Sequence, residues 1–282
     1  LYQPCLDAAV ILNITPDHLD RYHTMEAYAK AKFGMERCLK PNGHFYIEEK
    51  TWEIYGSLLK QKKPRLYGYQ PTSFIYTDLF VVYRDGQKVF ELPPFLQNKK
   101  SHDVENLLAA YALCADKGVA EDAFLEAWKS FKKPAHRIEF VLDYQGVRYY
   151  DDSKGTNIDA VIRAVQSLEG PIILIAGGVD KGAPYTPWLE EFRNKVKSIC
   201  AIGQAAAKIR EQLASHIPVT VFNSLDEAVQ QAARWAQKGD TVLLSPGCSS
   251  FDMFKDYAHR GEEFQRIVRG LQISHESGQK ET

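Results

Sequence analysis

The sequence predicts a two-domain α/β protein whose second half is Rossmann-like, and three observations predict it. The chain has 282 residues, enough for two domains of ordinary size. From about residue 138 onward, short β-branched runs alternate with helical patterns, the rhythm of a parallel sheet with crossover helices. Before that point the rhythm differs, with one apolar run, one helix and then a stretch crowded with Tyr, Phe and Val. The proline of "KKPAHR" separates the two styles, which places the boundary near Pro134 and the domains at 1–133 and 134–282.

In chain order, "AAVILNI" (8–14) is short, apolar and β-branched, the pattern of a strand buried on both faces. Thr24 to Lys40 reads as a helix closed by Pro41 and Gly43, and "HFYIEE" (44–49) as a second strand. Residues 65–100 carry several short strands between Pro and Gly breaks. Residues 102–117 and 121–131 form two helices, the first apolar on most sides and so well buried. In the second half, strands are expected near 138–143, 146–150, 171–176, 198–202, 218–222 and 241–244. Helices are expected near 157–168, 185–193, 204–214, 224–236 and 253–269, and the polar tail from about 274 reads as frayed.

Composition narrows the function classes. A formal net charge of −1 gives no basic field for nucleic acid or an acidic membrane surface. No apolar run approaches the roughly 18 residues a spanning helix needs. Five dispersed cysteines, odd in number and without paired metal-ligand spacing, fit a reducing cytoplasm better than a disulfide scaffold. The chain opens at Leu1, almost directly on an apolar run, so the protein is expected to extend upstream.

Several segments carry side chains with chemical use. "NITPDHLDRYHT" (13–24) follows a strand, and ligands gather at the carboxyl ends of strands in open α/β sheets. There His18, with Asp17 and Asp20 beside it, suits a divalent cation, while a capped polar turn is the plainer reading of the spacing alone. In "AYAKAKFG" (27–34), Lys30 and Lys32 point to different faces, and Lys32 lines up with Tyr28 and Met25 toward the core. A buried lysine is costly unless paired or chemically changed, and a lysine snorkelling at the edge of the face is the plainer alternative. In "SHDVENLLAA" (101–110), Ser101 is an N-cap, with His102 and Asn106 on one helical face. Asn106 suits the edge of a base or backbone groups at the domain junction.

Two further strand ends look like anion sites. "AGGVDKG" (176–182) lets backbone approach an anion and adds Lys181 as a point charge. "LLSPGCSSFDMF" (243–254) repeats strand, turn and a serine pair, with Ser249 and Ser250 near an expected helix start. "YYDDSKGTN" (149–157) follows a strand and opens a helix with Thr156 or Asn157 as N-cap. It is no phosphate loop, because G-x-x-x-x-G-K-[ST] occurs nowhere in the chain and two aspartates would repel a triphosphate.

In order, "NITPDHLDRY", "AYAKAK", "HDVENLLAA", "PAHRIEFV", "YDDSKGTN", "AGGVDKG" and "SPGCSSFDMFKDYAHRGEEF" resemble motifs of the Mur ligases over nearly the whole chain. "DSKGTN" resembles the form found in the branch that adds D-glutamate. The resemblance implies a partial central ATPase domain at 1–133, followed by a complete Rossmann-like amino-acid-binding domain at 134–282. The family's UDP-sugar domain, its G-K-T loop and an acidic metal ligand would lie upstream, so the chain alone is expected not to turn over. The implied reaction is ATP-dependent ligation of D-glutamate to UDP-N-acetylmuramoyl-L-alanine through an acyl phosphate, serving peptidoglycan synthesis and hence cell-wall biogenesis, shape and division.

The resemblance also implies roles, namely His18 as a Mg²⁺ ligand and Lys32 as a CO₂-derived carbamate, which would turn a buried cation into a metal-binding anion. His102, Asn106, Arg137 and Asp152 match nucleotide-side positions. Lys154, Thr156, Asn157, Lys181, Ser250, Phe251 and Tyr257 match the face that receives D-glutamate. Asp103 stands where the family has Asn, an acceptor in place of an amide, and Tyr257 where an aromatic, commonly Phe, closes the pocket. A cytoplasmic monomer is implied. A Rossmann dehydrogenase lacks support, since G-x-G-x-x-G is absent, whereas a Mur-like binding module without catalysis stays open.

Overall fold

The computed structural model describes residues 4–59, 63–98 and 100–278, with side chains described as far as residue 272. The chain divides into two compact units, Leu1–Thr15 with Tyr22–Lys132, and Pro16–Arg21 with Lys133–Thr282. Among the described residues no helix is long and apolar enough to cross a membrane.

Unit 1 is built on a six-stranded sheet in simple order: β1 (Leu6–Ile11), β2 (Leu39–Glu48), β3 (Arg65–Gly68), β4 (Ile75–Thr77), β5 (Val81–Arg84) and β6 (Gln87–Glu91). The first four strands run parallel, and β4, β5 and β6 pair antiparallel. Asp85 and Gly86, both at positive φ, make the two-residue turn between β5 and β6, whose twist suits a hairpin. Successive residues of β2 face opposite sides. Phe45 and Ile47 pack with Tyr28, Ala29 and Phe33 of α2 (Met25–Phe33), while Tyr46 packs with Leu107, Leu108 and Tyr111 of α4 (His102–Asp116). Between these two helices in sequence lies α3 (Glu49–Tyr55), which the sequence pattern did not announce; α1 (Leu19–Tyr22) precedes α2 and α5 (Glu121–Ser130) follows α4.

The expected helix from Thr24 to Lys40 is shorter than its pattern. Thr24 does cap it, Oγ1 accepting from Ala27 N at 3.1 Å, but α2 ends at Phe33 and a 3₁₀ turn covers Gly34–Cys38. Strand β2 then starts at Leu39 and passes through Pro41. The ladder with β1 jumps from Leu6↔Leu39 to Ala8↔His44, so the extra residues bulge out where Pro41 owes no bond.

Unit 2 holds a sheet in the order β11-β10-β9-β12-β8-β7, parallel except for the β7–β8 hairpin. Its strands are β7 (Glu139–Tyr144), β8 (Val147–Asp151), β9 (Ile172–Gly177), β10 (Val196–Ile202), β11 (Val219–Val221) and β12 (Thr241–Leu244). The helices are α6 (Ile158–Ser167), α7 (Pro187–Glu191), α8 (Ala206–Leu213), α9 (Leu225–Trp235) and α10 (Tyr257–Gly278). Alternate residues of β9 feed two cores. Ile172, Leu174 and Ala176 meet α6, α7 and α8, while Ile173 and Ile175 meet α9 and α10. Every residue of β9 and β12 is buried, as central parallel strands require. The last helix starts at Tyr257 rather than near 253 and runs on through Gly278. The segment read as frayed from 274 is therefore helical to 278, and residues 279–282 lie outside the described residues.

Candidate functional site

The central strands β9, β12 and β8 are neighbours, and the loops leaving their carboxyl ends are tied to one another in unit 2. Gly177 N donates to Pro246 O at 2.8 Å, and Gly247 N to Gly155 O at 2.8 Å. Val179 and Ser249 form an antiparallel bridge, with Val179 N donating to Ser249 O at 2.9 Å. Thus "DSKGTN", "AGGVDKG" and "SPGCSS" make one rim at the position where open α/β sheets receive ligands.

Two ammonium–hydroxyl pairs stand on this rim. Lys154 Nζ donates to Tyr257 Oη at 3.1 Å and lies 4.6 Å from the centre of its ring. Lys181 Nζ donates to Thr156 Oγ1 at 3.3 Å and also lies 3.1 Å from Asp17 Oδ1. Asn157 is the N-cap of α6, its Oδ1 accepting from Ala160 N at 2.8 Å. Its side chain is therefore committed to the helix end. Ser250 is buried and Phe251 is 74% exposed. The expectation that Ser249 and Ser250 sit at a helix start is not met. Ser250 O instead accepts from Met253 N and Phe254 N in a turn, and α10 begins seven residues later. The neighbouring Cys248 is fully buried, and burial pushes its thiol up to about 11.

The rim rests on buried polar groups that sequence reading did not single out. Arg260, 1% exposed, donates through Nε to Ser153 Oγ at 2.9 Å and through Nη2 to Ser153 O at 2.8 Å. Nη1 and Nη2 both donate to Cys248 O at 3.2 Å. One side chain thereby clasps two loops, and burial without a carboxylate hydrogen-bonded to it pulls its pKa down to about 10. Its position could have been read from the spacing Arg260, Phe264, Ile267 and Val268, the buried stripe of α10.

Asp151, fully buried, is bonded from three sides: by His136 Nδ1 at 2.7 Å, Gln265 Nε2 at 2.8 Å and Ser153 N at 2.9 Å. Its burial follows from the alternation of Val147, Tyr149 and Asp151 along β8. His136, Glu139 and Asp151 are close enough to suggest a metal, yet these hydrogen bonds, with His136 N donating to Glu139 Oε2, already engage them. Asp152 is 4% exposed and takes bonds from Ser245 Oγ at 2.7 Å and Ile138 N at 3.2 Å. Burial outweighs those bonds and pushes its carboxyl up to about 7, with Arg137 acting in the opposite sense. Arg137 itself is exposed.

The remaining expected residues are on the surface. His18 is exposed at a positive φ of 54, and its backbone N donates to Asp17 Oδ1 at 2.9 Å; Asp20 is exposed as well. Lys32 corrects an expectation: it is exposed, not buried. Tyr28, Ala29 and Phe33 form the core side of α2, while the Lys32 ammonium lies 5.1 Å from the centre of the Tyr28 ring. Its position in the last turn lets the stem cover that ring while the charge reaches water, the snorkelling alternative. Lys30 pairs with Glu26. In unit 1, Ser101 caps α4, Val104 N donating to its Oγ at 3.4 Å. His102 pairs through Nδ1 with Glu105 at 2.9 Å, and Asn106 is exposed on the same side.

Residues 4–114 match the model of the Mur ligase middle domain, and residues 136–248 that of the Mur ligase glutamate ligase domain. The chain is 57% identical over 269 residues to the UDP-N-acetylmuramoylalanine--D-glutamate ligase of Protochlamydia amoebophila, covering 95% of this chain and 60% of that protein. It is 38% identical to the protein of the same name from Caldanaerobacter subterraneus subsp. tengcongensis, covering 93% of this chain and 59% of that one. Among solved structures, a pseudomurein peptide ligase type C from Methanothermus fervidus shares the fold, with a TM-score of 0.69 at 15% identity over 94% of this chain and 63% of that one. The chain thus spans about 60% of the length of the curated relatives it matches.

Proposed function

The chain belongs to the Mur ligase family, carrying its middle domain and its glutamate ligase domain, and from that premise we propose that the intact protein joins D-glutamate to UDP-N-acetylmuramoyl-L-alanine with ATP. The observation that carries the choice of amino acid is the pair of ammonium–hydroxyl couples on the unit 2 rim, Lys154 with Tyr257 and Thr156 with Lys181. An incoming dianion needs cationic and hydroxyl donors at fixed places, and that rim offers both.

In this reading the substrate carboxylate takes the γ-phosphoryl group, giving an acyl phosphate and ADP. The D-glutamate amine then attacks the acyl carbon, phosphate leaves, and the nitrogen loses a proton. Residues of unit 2 hold and orient the amino acid. Lys154, Thr156, Lys181 and the Ser250–Phe251 turn face it, and Tyr257 borders it. Asn157 contributes through the start of α6, since its own side chain is used as the cap. His102 and Asn106 of unit 1 lie on the exposed side of α4, open to a nucleotide base, and Arg137 offers an exposed charge for phosphate or ribose. Asp152 acts on the surroundings of Arg137 from inside unit 2, because its oxygens are bonded to Ser245 and Ile138.

For magnesium, the donor chemistry fits. The His18 imidazole is accessible, and a carbamate on the exposed Lys32 would offer the oxygen ligands that a hard cation prefers to an ammonium. A magnesium ion held by either donor would neutralise charge on the transferring phosphoryl group. The proposed setting is the cytoplasm, where ATP and reduced thiols coexist, and all five cysteines are free. The proposed working form is a monomer. The test is phosphate release by the intact protein in ATP. Release that requires both D-glutamate and UDP-N-acetylmuramoyl-L-alanine supports the reading, and its absence overturns it, leaving a binding module.

A further inference from the structure

We propose that the hydroxyl of Tyr257 is a specificity-determining donor, seating one carboxylate of the dicarboxylic amino acid jointly with the Lys154 ammonium. This rests on the reading of unit 2 as the D-glutamate domain and assigns a role to an atom that a phenylalanine at this position would lack.

Three observations carry it. First, the two groups are already paired, Lys154 Nζ donating to Tyr257 Oη at 3.1 Å. An oxygen that accepts from an ammonium turns its own proton elsewhere, and none of the described residues accepts that proton. The remaining ammonium protons and the phenolic proton are therefore adjacent donors, at a spacing one carboxylate can bridge. Second, the couple is held on both sides. Ser153 Oγ donates to Tyr257 O at 2.7 Å, and Lys154 N donates to His136 O at 3.0 Å. The Tyr257 ring also stands edge-on to His136, at 6.4 Å between ring centres and 77° between planes. Third, the Tyr257 ring is partly exposed beside the tied loops, so the hydroxyl is reachable by a small ligand.

The ring alone does not account for the pairing. Lys154 lies 4.6 Å from the ring centre, a contact that phenylalanine would retain. What phenylalanine would remove is the acceptor that aims the ammonium and the second donor beside it. Tyr257→Phe therefore subtracts one oxygen and leaves packing, charge and the start of α10 in place.

The experiment is steady-state kinetics of the intact ligase carrying Tyr257→Phe, alone and combined with Lys154→Met. Because a hydrogen bond to a charged group is lost, KM for D-glutamate should rise about tenfold or more, with kcat and KM for ATP within about twofold of the parent. In the Lys154→Met background the same substitution should raise KM by less than about threefold, since the carboxylate has already lost its cation. An unshifted KM for D-glutamate in Tyr257→Phe overturns the proposal, as does a fall in kcat alone or a full additive effect in the double variant. A parent enzyme that does not use D-glutamate defeats the underlying reading instead, which separates the two failures. A thermal midpoint of Tyr257→Phe equal to the parent's excludes a folding origin for any shift.

Discussion

Arg260 binds Ser153 twice, through Nε to the hydroxyl at 2.9 Å and through Nη2 to the carbonyl at 2.8 Å, from a position that is 1% exposed. The same guanidinium reaches Cys248 O. A helix near the end of the chain thus fixes two loops that leave the sheet about a hundred residues apart in sequence.

Arg260→Lys should be severely destabilising despite keeping the charge. An ammonium cannot reproduce the planar fork, so the carbonyls of Ser153 and Cys248 would be left incompletely paired in a dry site. The expected loss is roughly 2–3 kcal/mol, by the cost of buried polar groups without partners. Urea unfolding of this chain measures it. Parent-like stability would mean that the clasp does not hold the loops.

Asp152 gives stability a pH dependence whose sign is fixed. Its folded carboxyl is raised from 3.8 to about 7, so the folded state binds the proton more tightly than the unfolded chain does. Its stabilising contribution is fully present below the unfolded value and is lost as pH rises through about 7. Asp152→Asn should remove that slope, making the variant relatively more stable at pH 8 than at pH 4 when each is compared with the parent. Denaturant midpoints at the two pH values decide it.

Gly178→Ala tests the bridge between loops. Gly178 has φ of +135, and a Cβ there would lie 2.2 Å from Ser249 O. The methyl group meets backbone, which has little room to yield. A loss of more than about 2 kcal/mol is expected from strain at positive φ combined with that clash. Equal thermal midpoints for variant and parent would count against it.

Lys32→Ala in the intact enzyme should abolish turnover, with partial recovery on adding short carboxylic acids, if a carbamate forms there. Its exposure in the unmodified chain leaves the amine open to CO₂. Unchanged turnover would assign Lys32 to the surface of α2 and nothing more.

Much of this was legible because it depends on local pattern. The alternation that predicts β8 to β12 is clearest at the central strands β9 and β12, which are buried on both faces. Ser101 is readable as a cap, and Asn157 as one of two candidates with Thr156, since a hydroxyl or amide before an apolar-periodic run has one obvious use. Lys32 was misread because periodicity assigns a face but not what lies over it. The helix ends one residue later, so its last turn is open to water. Arg260, His136 and Asp151 escaped notice for the opposite reason. They are polar residues at core positions, and their partners come from segments distant in sequence. The tight turn at Asp85–Gly86 was available from its residue types, whereas the bulge at Lys40–Gly43 arises from strand register and has no local signature.

Strand β12 lies between β9 and β8, although it is the last of the three to be synthesised. Until residues 241–244 are in place, the β7–β8 hairpin has no parallel neighbour, and the loop after it lacks its bonds to Leu244 and Gly247. Assembly of the rim therefore waits for a long-range closure, the kind of step that slows folding through chain entropy. During synthesis, residues 151–157 leave the ribosome well before residues 244–247 do, and the bonds from Asp152 N to Leu244 O and from Gly247 N to Gly155 O wait for them.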